Sequence, residues 1–161
     1  MKNGPGTYRY GTPRARGEGL RIGVAHYVPR GVRREDWKKR GYFDLWLPLL
    51  APSAGLVKEY LGGKIAWAVF ARRYRTEMRK AECRQVIDFL AGLSQSVPFC
   101  IGCYCEDETR CHRSVLHQLI CHSRSAKPAR SGSTRALESC ASVERYASPV
   151  CYAQWDESQE S

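Results

Sequence analysis

Val97-Pro-Phe-Cys-Ile-Gly-Cys-Tyr-Cys-Glu-Asp-Glu-Thr-Arg-Cys-His-Arg113 is the stretch on which the fold turns. Its opening, Val97 to Cys103, is a nearly continuous apolar run bounded by polar residues, the pattern of a strand covered on both faces. An acidic loop follows from Tyr104 to Arg110. Then Val115, Leu116, Leu119 and Ile120 line one face of a helix from Cys111 to about Cys121. Central strand, loop and helix together predict an α/β protein, and in open sheets of that class ligands bind beyond the carboxyl ends of the strands.

Working outward, Leu20 to Val28 alternates in its first half and stops at Pro29-Arg30-Gly31, which predicts a further strand. Residues 33 to 40 read as a short basic helix or turn, and Tyr42 to Leu47 as a second, shorter strand running into Pro48. Ser53 is placed to cap a helix through about Leu61, closed by Gly62-Gly63. Trp67, Phe70, Tyr74 and Met78 recur at intervals of three and four, the buried stripe of a helix from about Ile65 to Arg79. A further helix from about Ala81 to Leu93 buries Val86, Ile87, Leu90 and Leu93.

The expected fold is therefore a small, mostly parallel sheet flanked by helices over residues 20–122. Residues 1–19 hold five Gly and two Pro among Arg and Tyr, and read as a flexible arm. Residues 123–161 hold nine Ser and six Ala without periodicity, and read as a disordered tail carrying Cys140 and Cys151.

With 161 residues, of which 43% are apolar, the chain suits one compact domain with spare length. Its longest apolar run, Ile65 to Ala71, is too short to cross a membrane, and no apolar segment follows the N-terminal Met-Lys-Asn-Gly-Pro-Gly6. A cytoplasmic location is the expectation. In that reducing setting the eight cysteines are expected to be packed, reactive or metal-bound rather than a disulfide framework. The net charge of +10 suggests an anionic partner, either a small molecule or nucleic acid. Residues 1–80 hold 18 Lys or Arg against 6 Asp or Glu, with clusters at Arg33, Arg34, Lys38, Lys39 and Arg40 and at Arg72, Arg73, Arg75, Arg79 and Lys80. A solvated helix surface and an anion-binding face both fit these clusters.

The chemistry concentrates after the central strand. Cys111, His112 and Arg113 fall in the first turn of a helix, where the dipole and the neighbouring guanidinium favour a thiolate. On that reading Cys111 is a nucleophile, His112 a general acid or base, Arg113 a clamp for phosphate or carboxylate, and Glu106 or Glu108 a partner for the histidine. His26 and Arg30, at the end of the first predicted strand, would complete the pocket. Zinc is the competing reading, with Cys103, Cys105, Cys111 and His112 as ligands. In an extended stretch Cys103 and Cys105 face one way and Cys100 the other, so Cys111 can close on the first pair. Simple packing of small buried thiols is the third reading.

Arg21-Ile-Gly-Val-Ala-His-Tyr-Val-Pro-Arg-Gly31, the Trp67-x2-Phe70-x3-Tyr74 helix and Gly102-Cys-Tyr-Cys-Glu-Asp-Glu-Thr-Arg-Cys-His-Arg-Ser-Val-Leu116 resemble the domain-of-unknown-function 488 (DUF488) family. The resemblance covers about residues 20–121. It implies a compact α/β domain whose site lies at the acidic loop and the Cys-His-Arg helix start, and it brings no assigned reaction. Cys105 stands where members of the family often have an acid.

Overall fold

A computed structural model of the chain describes residues 5–126. Four strands, β1 (Gly6–Arg9), β2 (Leu20–Gly23), β3 (Leu45–Trp46) and β4 (Phe99–Cys103), form one sheet in the order β1-β4-β2-β3. Every pairing is parallel. The α-helices among the described residues are α1 (Ala54–Leu61), α2 (Trp67–Glu77), α3 (Ala81–Leu93) and α4 (His112–Ala126), with short 3-10 turns at Arg34–Asp36 and Pro48–Leu50. None of them is long and apolar enough to cross a membrane.

All five residues of β4 are buried, as expected for a central parallel strand, and alternation sends its side chains to two different cores. Phe99 and Ile101 join Ile22 and Val24 against Leu56 of α1, Phe70 and Tyr74 of α2, Ile87 and Leu90 of α3, and Leu116 and Ile120 of α4. On the other face Cys100 sits with Tyr8, Tyr10 and Phe43. Gly23 and Gly102 pair in register, and only glycine fits there. A Cβ on Gly102 would lie 2.2 Å from the Tyr8 ring, and one on Gly23 would lie 2.6 Å from Phe43.

The cap at Ser53 and the closure at Gly62 stand where the sequence places them, and the side chain of Ser53 accepts from the Leu56 amide. Three expectations need correction. Residues 6–9 of the supposed arm are strand β1, which pairs with β4, and the segment behind it is held by the buried guanidinium of Arg21. The strand from Leu20 ends at Gly23. Past Val24 the chain leaves the ladder, and the Ala25 carbonyl accepts from the Trp46 indole at 2.9 Å. Helix α4 runs beyond Cys121 to Ala126, into the stretch read as tail. The remainder of that tail, with Cys140 and Cys151, lies outside the described residues.

Candidate functional site

In the order β1-β4-β2-β3, β2 is followed in the chain by β3 on one side, whereas β4 lies on its other side. The crevice beyond the carboxyl ends of β2 and β4 is thus a topological switch point. A cavity of about 500 Å³ opens there. Its walls come from Ala25, His26 and Tyr27 after β2, from Cys103, Tyr104 and Cys105 after β4, from one side of α1 including Lys58, Tyr60 and Leu61, from Phe70 of α2, and from Arg110, Cys111 and His112. Leu61, Tyr27 and Tyr104, three of the large apolar side chains that the protein leaves exposed, all border it.

The floor is a cluster of sulfur and imidazole. The Cys103 thiol donates to the Cys105 sulfur at 3.7 Å, and His112 Nδ1 lies 3.8 Å from Cys103 Sγ and 3.9 Å from Cys111 Sγ. Ligand atoms of Cys103, Cys111 and His112 all fall within 4.8 Å of one another, and all three residues are buried. Two features of the backbone create this convergence. The peeling of β2 frees the Val24 carbonyl, which accepts from His112 Nε2 at 2.9 Å and turns Nδ1 toward the thiols. The loop after β4 folds back, held when Arg113 Nη1 donates to the Cys105 carbonyl at 2.6 Å.

Electrostatics divide the thiols. Hydrogen bonds from Cys103 and then Cys111 hold the Cys105 thiol far below its ordinary range, and the charge of Arg113 acts in the same direction. Hydrogen bonds with Cys103 and then Cys105, together with burial, push the Cys111 thiol up. Cys103 is also raised, chiefly by its bond to Cys105. Burial holds His112 below the usual histidine range. The lowered thiol that the helix dipole suggests for Cys111 is therefore found at exposed Cys105, and Cys111 is only 1% accessible.

The other expected site residues take separate places. Glu106 pairs with Arg9 at 3.0 Å and Glu108 accepts from Thr7, so both acids fasten the loop to β1 rather than orient His112. Val24 does that. Arg113 is buried and engaged with the loop backbone, and does not line the cavity. His26 does line it, edge-on to Tyr27, whereas Arg30 does not. Cys100 stands apart, bonded to the Glu18 carbonyl at 3.4 Å. Residues that the sequence reading overlooked are Lys58, Tyr60 and Arg110; a cation and an aromatic at one side of a short capped helix gave only a faint signal. Part of the basic surface is engaged locally, Arg33 with Glu35 and Asp36 and Arg73 with Glu59.

Fold and site together define a small parallel α/β protein with a cysteine and histidine cluster at the carboxyl edge of its sheet. The family model described as "Active DUF488-N3 subclade" matches residues 5–124, and the chain belongs to the DUF488 family. No curated protein and no solved structure gives a significant match.

Proposed function

We infer that the chain is a small cytoplasmic enzyme or ligand-binding protein for an anion with a planar apolar body, phosphate-bearing or nucleotide-like, held in the cavity at the β2–β4 switch point. The single observation that carries this reading is the character of the cavity wall. Tyr27, Tyr60, Phe70 and Tyr104 supply aromatic surface, and Lys58 and Arg110 supply positive charge. Among the described residues that line the cavity none is acidic. Aromatic walls favour a flat apolar group, and cations in a site of low polarity favour an anion more strongly than they would in open solvent. The cluster of Cys103, Cys105, Cys111 and His112 is the chemically competent surface that such a ligand meets.

Calorimetric titration with adenosine monophosphate, adenosine and inorganic phosphate tests it. The whole nucleotide should bind at least about tenfold more tightly than either fragment, since the two kinds of wall act on one molecule. Lys58→Ala combined with Arg110→Ala should remove most of the preference for the nucleotide over adenosine. Equal or absent binding of all three would overturn the reading.

A further inference from the structure

We propose that Cys103, Cys105, Cys111 and His112 bind one zinc ion through their three sulfurs and Nδ1. The proposal does not depend on what fills the cavity. It rests on the spacing of the four donors, on the tautomer of the histidine and on the chemistry of the set.

A tetrahedral zinc with ordinary bond lengths separates two sulfurs by about 3.8 Å and a sulfur from a nitrogen by about 3.6 Å. The cluster shows 3.7 Å between Cys103 and Cys105 sulfurs, with 3.8 and 3.9 Å from His112 Nδ1 to the Cys103 and Cys111 sulfurs. These three edges match a coordination tetrahedron, and Cys103, Cys111 and His112 already hold their ligand atoms within 4.8 Å of one another. Cys105 lies outside that group of three and would reach the fourth position by a turn of its exposed side chain.

The histidine is already set for a metal. A carbonyl only accepts, so the 2.9 Å contact to Val24 places the proton on Nε2 and leaves the Nδ1 lone pair directed at the thiols. Donation of the remote ring N–H to a backbone carbonyl is the usual outer-sphere support of a metal-bound imidazole. Three thiolates and an imidazole are soft donors, a combination that selects zinc over magnesium or calcium. A second thiol–imidazole pair in the chain shows what is missing elsewhere. Cys121 lies 3.8 Å from His117 Nε2, but that nitrogen also contacts the Pro5 carbonyl at 3.0 Å, and the pair belongs to no group of three metal-ligating side chains among the described residues.

Cys103, Cys111 and His112 are buried and Cys105 is exposed. The inner three form a fixed platform, and Cys105 closes the fourth position from the side of the cavity.

The test uses the full chain, expressed with zinc in the medium and purified without chelator or metal affinity, with metal counted per chain. About one zinc per chain is expected. Exchange with cobalt should give the absorption of a tetrahedral ion with intense sulfur-to-metal charge transfer. Because Cys105 is exposed, Cys105→Ser should fold, which circular dichroism checks, and should lose about one third of that charge-transfer intensity together with at least tenfold in zinc affinity. Cys121→Ser should match the parent in both. Absence of retained metal together with a cobalt spectrum free of charge transfer would overturn the site. A Cys105→Ser spectrum identical to that of the parent would overturn the four-ligand assignment.

Discussion

Arg21 and His112 are both buried polar groups packed beside the two central strands, and the fold treats them differently. Arg21 has all five donors engaged. Nε and Nη2 reach the two oxygens of Glu18 at 2.9 and 3.0 Å, and the remaining donors reach the carbonyls of Thr12, Gly41 and Pro13 at 2.7 to 2.9 Å. Its guanidinium also lies over the Tyr8 ring, 4.4 Å from the centroid. At the carboxyl edge the polar atoms are not used up in this way. His112 satisfies one nitrogen through Val24 and presents the other to thiols, and the buried Arg113 Nε has no hydrogen-bond partner. A polar group with every atom satisfied is a structural clamp, whereas convergent groups with capacity in reserve mark a place for chemistry.

The clamp is the part of the molecule most sensitive to substitution. Arg21→Met leaves the Glu18 carboxylate buried without its cation and should cost about 3–5 kcal/mol, read as a fall in the denaturant midpoint. Gly102→Ala drives a methyl into the Tyr8 ring that stacks on that clamp, and about 1–3 kcal/mol should be lost in the same measurement. If either variant is as stable as the parent, the aromatic face is not the support described here.

Acid should weaken the same region more gradually. Burial alone would raise the Glu18 and Asp44 carboxyls, but Glu18 is outweighed by bonds from Arg21 and Ala15, and Asp44 by bonds from the Arg21 amide and Arg14, so both titrate below their usual range. Because both are lower in the folded chain than in the unfolded one, the stability they lend is complete above the ordinary carboxylate range. It drains away as the pH falls through their folded values. Glu18→Gln should flatten this acid limb of a stability–pH profile; an unchanged limb would place the acid sensitivity elsewhere.

The smallest effect on stability belongs to the other region. In chelator, Cys105→Ser should shift stability by no more than about 0.5 kcal/mol, because the residue is exposed. Under the same conditions Cys105 should alkylate about tenfold faster than buried Cys111, followed by mass spectrometry of the labelled peptides. Preferential labelling of Cys111 would reverse the order of thiol acidity described here.

What could be read from the sequence follows from which signals are local. Helix α3 occupies the span its apolar period indicates, and α1 is framed by Ser53 and Gly62 because caps are decided within one turn. The nearness of the Cys103 and Cys105 sulfurs, 3.7 Å apart, agrees with the two-residue spacing, although the strand ends at Cys103. The partner of His112 was not legible, since a carbonyl released where β2 leaves the ladder belongs to no side-chain pattern. The strand at Gly6–Arg9 escaped for a related reason. Its Gly and Pro neighbours look like a linker, and its stability comes from β4 and from contacts with Arg21, all distant in sequence.

That first strand has a consequence for how the chain is made. Gly6 pairs with Cys100 and Arg9 with Cys103, so this segment leaves the ribosome well before its hydrogen-bonding neighbour and waits for it until most of the domain has been synthesised. Strand β2 also waits for β4. Since closure of such distant parallel pairs is slow, the nascent chain should carry unpaired strand edges for much of its synthesis, and β4 should act as the keystone whose arrival completes the sheet in one late step.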